Sequence, residues 1–293
     1  MKVNVYAKLN LTLNVGQKHG EYHAIDSIVT SIDLCDVVEV ANRHDKQVNV
    51  VGTPTVEKTR NTAYRAACAF VEAFDTDGVD IHIEKGIPFG GGFGGSSADA
   101  SAVLFCLAKR YKIDLGCEKL QKICESIGSD ITFMLQGGLG RIRGKGDLVE
   151  LFSLKNPLYF ALTTFSQEMN SGRVYSTFDK LTHGRPNSVE IQQHTRSNEQ
   201  ILAFLQNGAD DQAISCFNND LQPATSAISD YAEQYLTFSK FNGLNPVMTG
   251  SGSAYFVAFS KREEAKNAVN LLNFNGFTSV LCQSVSKGIE IIE

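Results

Sequence analysis

Six residues, Gly90-Gly91-Gly92-Phe93-Gly94-Gly95, hold five glycines and run straight into Ser96-Ser97 and an alanine-rich stretch. Glycine lets the backbone take positive φ angles and approach a ligand closely, which leaves several amide N–H groups free to point at one anion. Behind the glycines, Ala98, Ala100, Ala102, Val103, Leu104, Leu107 and Ala108 predict a buried helix. Its positive end faces the loop, with Ser96 or Ser97 as the cap. The stretch reads as a phosphate cradle, in which a side chain at Gly94 would fill space that the phosphates need. It satisfies the dinucleotide pattern G-x-G-x-x-G, but it lies deep in the chain behind Pro88, and no regular strand-helix alternation follows it. No Gly-Lys-Ser/Thr follows the glycines, which excludes a Walker A loop.

Other groups capable of chemistry need elements to position them. Residues 3 to 15 alternate, with Val3, Val5, Ala7, Leu9, Leu11, Leu13 and Val15 on one face, so a half-buried strand is expected. Lys8 and Asn10 then project from its other face about 6.6 Å apart. Tyr22-His23 leads into β-prone stretches at 22–32, 36–41 and 47–52, read as a meander continuing this sheet. Asn61-Thr62 suits the cap of a helix carrying Ala63, Ala66, Ala67, Phe70, Val71 and Phe74, and Val79 to Ile83 alternates as the strand that delivers the chain to the glycines.

Cys117 to Ile127 predicts a helix closed by Gly128. Asp130 opens a short helix to Leu135, where the ordinary work of an Asp is capping. Gly137-Gly138-Leu139-Gly140 and Gly144-Lys145-Gly146-Asp147 read as turns, and Leu158 to Thr164 as a strand. The polar residues 183–200 suit a linker or loop near a domain boundary. Helices are expected at about 197–206, 209–217, 224–240 and 261–273 and strands at 247–248, 254–259 and 278–285, around the loop Thr249-Gly250-Ser251-Gly252-Ser253.

Composition narrows the partners. With 293 residues, 43% apolar and 20% charged, the chain is an ordinary globular protein of one large or two smaller domains. Its net charge of −5 argues against a general nucleic-acid or membrane-surface role, so an anionic ligand must be held by local positive groups. Cysteines 35, 68, 106, 117, 124, 216 and 282 lack paired spacing and read as free thiols of a reducing compartment. With no apolar export segment and no long apolar run, a cytoplasmic protein is expected.

Pro88-x-x-x-Gly-Phe-Gly-Gly-Ser-Ser-Ala98 resembles the ATP loop of the GHMP kinase superfamily. Four further stretches resemble one of its branches, the 4-diphosphocytidyl-2-C-methyl-D-erythritol kinases of isoprenoid precursor synthesis. These are Ala7-Lys8-Leu9-Asn10-Leu11, Tyr22-His23, Gly128-Ser129-Asp130 with Phe133, and Thr249 to Ser253, in the family's order along the chain. Asn61 to Ala67 and Asn219-Asp220-Leu221 fall where weaker family elements belong.

The resemblance implies an α+β fold. A ribosomal-protein-S5-like β/α domain over residues 1–155 carries the loop and catalytic groups, a ferredoxin-like α+β domain follows over 156–293, and the active site lies between them. It implies ATP and Mg2+, a cytidylyl polyol as the small-molecule substrate, no nucleic acid or membrane partner, and a monomer or homodimer. Lys8 and Asp130 would be catalytic. ATP would lie against Asn61, Lys85, Pro88, Gly90, Gly91, Gly92, Gly94, Gly95, Ser96 and Ser97. The acceptor would meet Asn10, Tyr22, His23, Tyr175, Gly250 and Ser251, with Tyr22 and Tyr175 stacking a cytosine that His23 hydrogen-bonds.

The departures from the family pattern are Gly20-Glu21 in place of Asp-Gly, Thr30 for Gln, Thr132 for Pro, Asp147 for Glu, and Gly-Ser-Ser-Ala in the loop. They bear on the acceptor and keep two alternatives open, a relative phosphorylating another small alcohol and a non-catalytic nucleotide-binding regulator.

Overall fold

The computed structural model describes residues 1–20, 22–53, 57–167, 169–182 and 188–293. Strands β1 (Lys2–Asn10), β2 (Thr12–His19), β3 (Tyr22–Asn42) and β4 (Val48–Val51) precede helix α1 (Thr62–Phe74) and strand β5 (Val79–Glu84). Helices α2 (Gly95–Tyr111), α3 (Glu118–Ile127) and α4 (Ile131–Gln136) lead to β6 (Leu139–Gly144), β7 (Leu148–Phe152) and β8 (Tyr159–Thr164). Then come α5 (Ser171–Leu181), α6 (Ser188–Asn207), α7 (Asp210–Ile214), β9 (Asn218–Asn219), α8 (Gln222–Ser226) and α9 (Asp230–Phe241). The chain closes with β10 (Val247–Met248), β11 (Tyr255–Phe259), α10 (Arg262–Phe274), β12 (Thr278–Val285) and β13 (Ile289–Ile291). Among the described residues no helix is long and apolar enough to cross a membrane.

The sheet runs β10-β11-β8-β12-β3-β1-β13, with β2, β5 and β6 also pairing β3. Several sequence expectations are corrected here. The alternating run 3–15 is two strands, because the chain turns at Leu11 and β2 pairs along the first half of β3 while touching β9 in parallel. The stretches 22–32 and 36–41 are one strand, in which Tyr6 faces Cys35 and the next residue, Ala7, faces Ile32, so the extra residues bulge out without ending the ladder. The glycine-marked turns at 137–147 enclose β6, whose register against β3 runs from Thr30 opposite Leu139 to Ile25 opposite Gly144. Of the expected linker, 183–187 lie outside the described residues and 188–200 are helical. The expected helix 224–240 is two, because Ser229 caps a new start by accepting from Ala232 N.

The larger apolar cluster joins Val3, Leu9, Phe70 and Leu104 to Phe160, Leu205 and Phe256, and so passes position 155 without a break. A second cluster gathers Leu13, Val174, Tyr235 and Tyr255. Helix α2 is buried around most of its circumference because Ala98, Ala100, Ala102 and Ala108 let α1, α4 and β1 come close.

Charge fixes the entry to the glycine loop. Asp36 on β3 is buried, and its Oδ1 accepts from Gly86 N at 2.7 Å and Ile87 N at 2.8 Å, while Lys85 Nζ donates to Asp36 Oδ2 and, at 2.9 Å, to Asp99 Oδ2 on α2. One ammonium thus ties the start of the loop to the helix after it. Two buried carboxylates around one cation leave an excess negative charge, and burial, reinforced by Asp36, pushes the Asp99 carboxyl up to about 7 against the pull of Lys85.

A carboxyl raised on folding binds its proton in the native state over a window where the unfolded chain has lost it, so its contribution falls as pH rises from about 4 to about 7. Urea unfolding of the wild type and Asp99→Asn between pH 4 and 8 should therefore show the variant gaining relative stability across that window and no more above it. A stability difference that ignores pH would mean that Asp99 ionises as freely as in the unfolded chain.

Candidate active site

A cleft of about 1210 Å³ opens beside the glycine loop and is lined by residues of both halves of the chain. Its floor is Pro88 to Ser97. Gly94, in the left-handed region at φ 74°, occupies the cap position of α2, and no side chain caps the helix. The expected caps Ser96 and Ser97 lie inside the first turn instead. The first N–H groups of a helix have no intrahelical partner, so here they are left for an anion.

A Cβ on Gly94 would stand 2.5 Å from Met134 Cε and 3.4 Å from the Lys8 stem. A methyl group there would have to displace the flexible end of Met134, so the left-handed φ and the space over the loop are the stronger reasons for the glycine. Gly92, at φ 83°, is pressed closer still, since a Cβ there would meet the Thr249 carbonyl oxygen at 2.3 Å. Gly90 O and Gly91 O accept from Ser253 N and Ala254 N at 3.3 and 3.4 Å, so the loop leans along its length on the second glycine loop.

Lys8 rises from β1 beside this floor. Its backbone N–H donates to Phe93 O at 3.1 Å, and its buried Nζ donates to Asn10 Oδ1 at 2.6 Å and lies 3.5 Å from Asp130 Oδ2. Asp130 stands at the cap position of α4, yet its side chain makes no capping bond. The ordinary structural role of such an Asp is unused, and the carboxylate, about a third exposed, is turned to the lysine and the cleft.

Asn10 holds this arrangement together. Its Oδ1 also accepts from Gly250 N at 3.0 Å, its Nδ2 donates to Ser27 Oγ at 2.8 Å, and its backbone N–H donates to Thr249 Oγ1 at 3.1 Å. The side chain expected to meet the acceptor is engaged at both ends within the protein. It fixes Lys8 and the 249–253 loop.

At the far end of the cleft Tyr22 is exposed, with Lys145 Nζ 5.7 Å from its ring centre. Tyr175 on α5 is half-buried, and desolvation, with the Asp130 charge, pushes its phenol up to about 12. Its ring stacks on His23, with centroids 5.5 Å apart and planes 24° apart. His23 is itself buried. Its Nδ1 lies 3.1 Å from Gly16 O and its Nε2 2.9 Å from Asp179 Oδ1, so neither nitrogen is open to the base it was expected to bind.

Gly250 and Ser251 line the cleft, with Ser251 Oγ 2.7 Å from Ser171 Oγ. Lys85 lines it too, but its ammonium is held by Asp36 and Asp99. Asn61 is not brought to the cleft, since its Oδ1 caps α1 through Ala63 N and Tyr64 N at 2.9 and 3.2 Å. Lys18, Lys145, Ser171 and Asp179 were not singled out from sequence. Only Lys145 carried a local signal, a lysine at the tip of a Gly-x-Gly turn.

A floor of free amides, a buried ammonium and an adjoining carboxylate suit transfer of a phosphoryl group, which needs charge neutralised and an oxygen nucleophile oriented. Comparison with known proteins agrees. A family model described as the GHMP kinases N-terminal domain matches residues 61–138. A 4-diphosphocytidyl-2-C-methyl-D-erythritol kinase of Clostridium tetani is 32% identical over 277 residues, 91% of this chain and 94% of the relative. One from Cutibacterium acnes is also 32% identical, over 90% of this chain and 86% of its own.

A crystal structure of 4-(cytidine 5'-diphospho)-2C-methyl-D-erythritol kinase matches with a TM-score of 0.76 at 25% identity, covering 97% of this chain and 100% of that one. A homoserine kinase from Cytophaga hutchinsonii shares the fold, with a TM-score of 0.77 at 17% identity. Full-length relatives at this identity, the matched GHMP domain and the cleft geometry together establish that the chain belongs to the 4-diphosphocytidyl-2-C-methyl-D-erythritol kinase family of ATP-dependent GHMP kinases.

Proposed function

We propose that the chain transfers the γ-phosphoryl group of ATP to a hydroxyl of 4-diphosphocytidyl-2-C-methyl-D-erythritol. The observation that carries this reading is the Lys8–Asp130 pair, 3.5 Å apart beside the amide floor of the glycine loop. Asp130 orients the acceptor hydroxyl and takes its proton as the oxygen bonds to phosphorus and the bond to the ADP oxygen breaks. Lys8 holds Asp130 in place and neutralises charge on the transferring group. A late proton transfer asks little basicity of the carboxylate, because most of the barrier is met by positioning and electrostatics.

Gly90 to Gly95 and the first turn of α2 receive the phosphates. Tyr22 and Tyr175, which both line the cleft, offer aromatic faces for the cytosine. Mg2+ would enter with the triphosphate. Oxygen atoms of the triphosphate and of water would suit such an ion as ligands. Such an ion would contribute neutralisation of phosphate charge.

ADP release with this acceptor tests the assignment. Asp130→Asn, which keeps the shape, should lower kcat by about 10²-fold or more with little change in the KM for ATP. Lys8→Met should also depress kcat, and the double variant should lose far less than the product of the single losses, because the two act as a unit. Fully multiplicative losses would mean that the groups work separately. ADP release with other alcohols and none with the cytidylyl acceptor would transfer the reading to a different substrate.

Gly94→Ala tests the floor. The flexible end of Met134 can yield to the new methyl group, so the variant should fold with a loss of about 1–3 kcal/mol from the left-handed φ, together with a raised KM for ATP as the first amides of α2 swing away. An unchanged KM would remove those amides from the phosphate site.

A further inference from the structure

His23 and Asp179 form an assembly that the transfer step does not use. β2 and β3 form a hairpin in which Lys18 lies opposite His23, and α5 crosses beside it, carrying Tyr175 and, one turn on, Asp179. Asp179 holds both hairpin residues, with Oδ1 2.9 Å from His23 Nε2 and Oδ2 accepting from Lys18 Nζ at 2.8 Å. The other nitrogen of the His23 ring faces Gly16 O at 3.1 Å, and the edge of the ring packs against Phe178, with centroids 6.0 Å apart. The His23 ring is thus packed between Gly16, Asp179 and Phe178, and the Tyr175 ring lies on its face. On the α5 side of the cleft the Asp179 carboxylate therefore stands behind the ring that backs Tyr175.

We propose that Asp179 is a positioning residue for acceptor recognition, acting through His23 to set the orientation of the Tyr175 ring. Resting on the reading that Tyr175 meets the acceptor's base, it gives His23 a different task from hydrogen-bonding that base. His23 is the rigid backing of the aromatic platform, and Asp179 is what keeps it rigid. The geometry also separates substrate binding from chemistry, since the Asp179 carboxylate holds Lys18 and His23 whereas Asp130 is held by Lys8. Loosening the platform should weaken the hold on the acceptor and leave the phosphate floor as it is.

Steady-state kinetics with both substrates varied provide the test. Asp179→Ala and the shape-conserving Asp179→Asn should each raise the KM for the cytidylyl acceptor, the alanine variant by about ten-fold, which corresponds to about 1.4 kcal/mol of lost interaction. Both kcat and the KM for ATP should stay within about two-fold. In a Tyr175→Ala background the same Asp179→Ala change should add less than about two-fold, because the platform it serves is already gone. A ten-fold effect that persists in that background, or one that appears in kcat or in the KM for ATP, would overturn the proposal.

A measurement that needs no turnover separates this inference from the functional reading. Aromatic-ring NMR of the free protein should show the Tyr175 ring reorienting faster in Asp179→Ala than in the wild type, and equal rates would overturn the positioning role whatever the acceptor. Absence of wild-type turnover with the cytidylyl acceptor, alongside a freed Tyr175 ring, would instead count against the assigned substrate.

Discussion

A buried ammonium must be neutralised or it destabilises the fold, and in this protein that requirement falls on Lys8. Its ammonium is met by Asn10, two residues along its own strand, and by the Asp130 carboxylate across the cleft, while its backbone N–H donates to the Phe93 carbonyl. Asn10 then reaches Gly250 and Ser27. Satisfying one cation thus brings the first strand, the glycine loop, the start of α4 and the second glycine loop to a single point. The cleft follows from meeting that demand while leaving one side open.

Close approach of backbones is the second constraint. Gly92 and the Thr249 carbonyl leave no room for a β-carbon, and the glycine loop accepts hydrogen bonds from Ser253 and Ala254. Two glycine-rich stretches some 150 residues apart are therefore mutual supports, and the conformation of each depends on the other. A second charged cluster, Asp36, Lys85 and Asp99, anchors the loop on its entry side. It does so at a cost in ionisation visible in the raised Asp99 carboxyl. Together these contacts hold the amide floor in place without the floor's own residues filling the space above it.

Much of the site was legible in the chain because its chemistry is local. A glycine run before an alanine-rich helix, a Lys and an Asn two residues apart on a strand, and an Asp at a helix start are each short-range patterns, and the fold placed all three on one cleft. Strand positions concealed by glycine were less legible. The segment 139–144 carries two glycines and two arginines among its six residues, and only its register against β3 makes it a strand. The bulge that fuses 22–32 to 36–41 is likewise set by pairing with β1.

The sequence by itself determined the residue types at the phosphate floor, the Lys8–Asn10 spacing, the cap at Asn61 and the order of family motifs, since each depends on neighbours within a few positions. Tertiary structure alone decided what those side chains do once folded. Asn61 is used up as a cap, Lys85 is held between two carboxylates, Asn10 is turned inward, and His23 is buried with its ring nitrogens beside Gly16 O and Asp179. A polar residue bears the same signature in the sequence whether it faces a ligand or a partner far along the chain. Desolvation requires a buried polar group to find a partner, and which partner stands within 3 Å is known only when strands and helices distant in sequence are packed together.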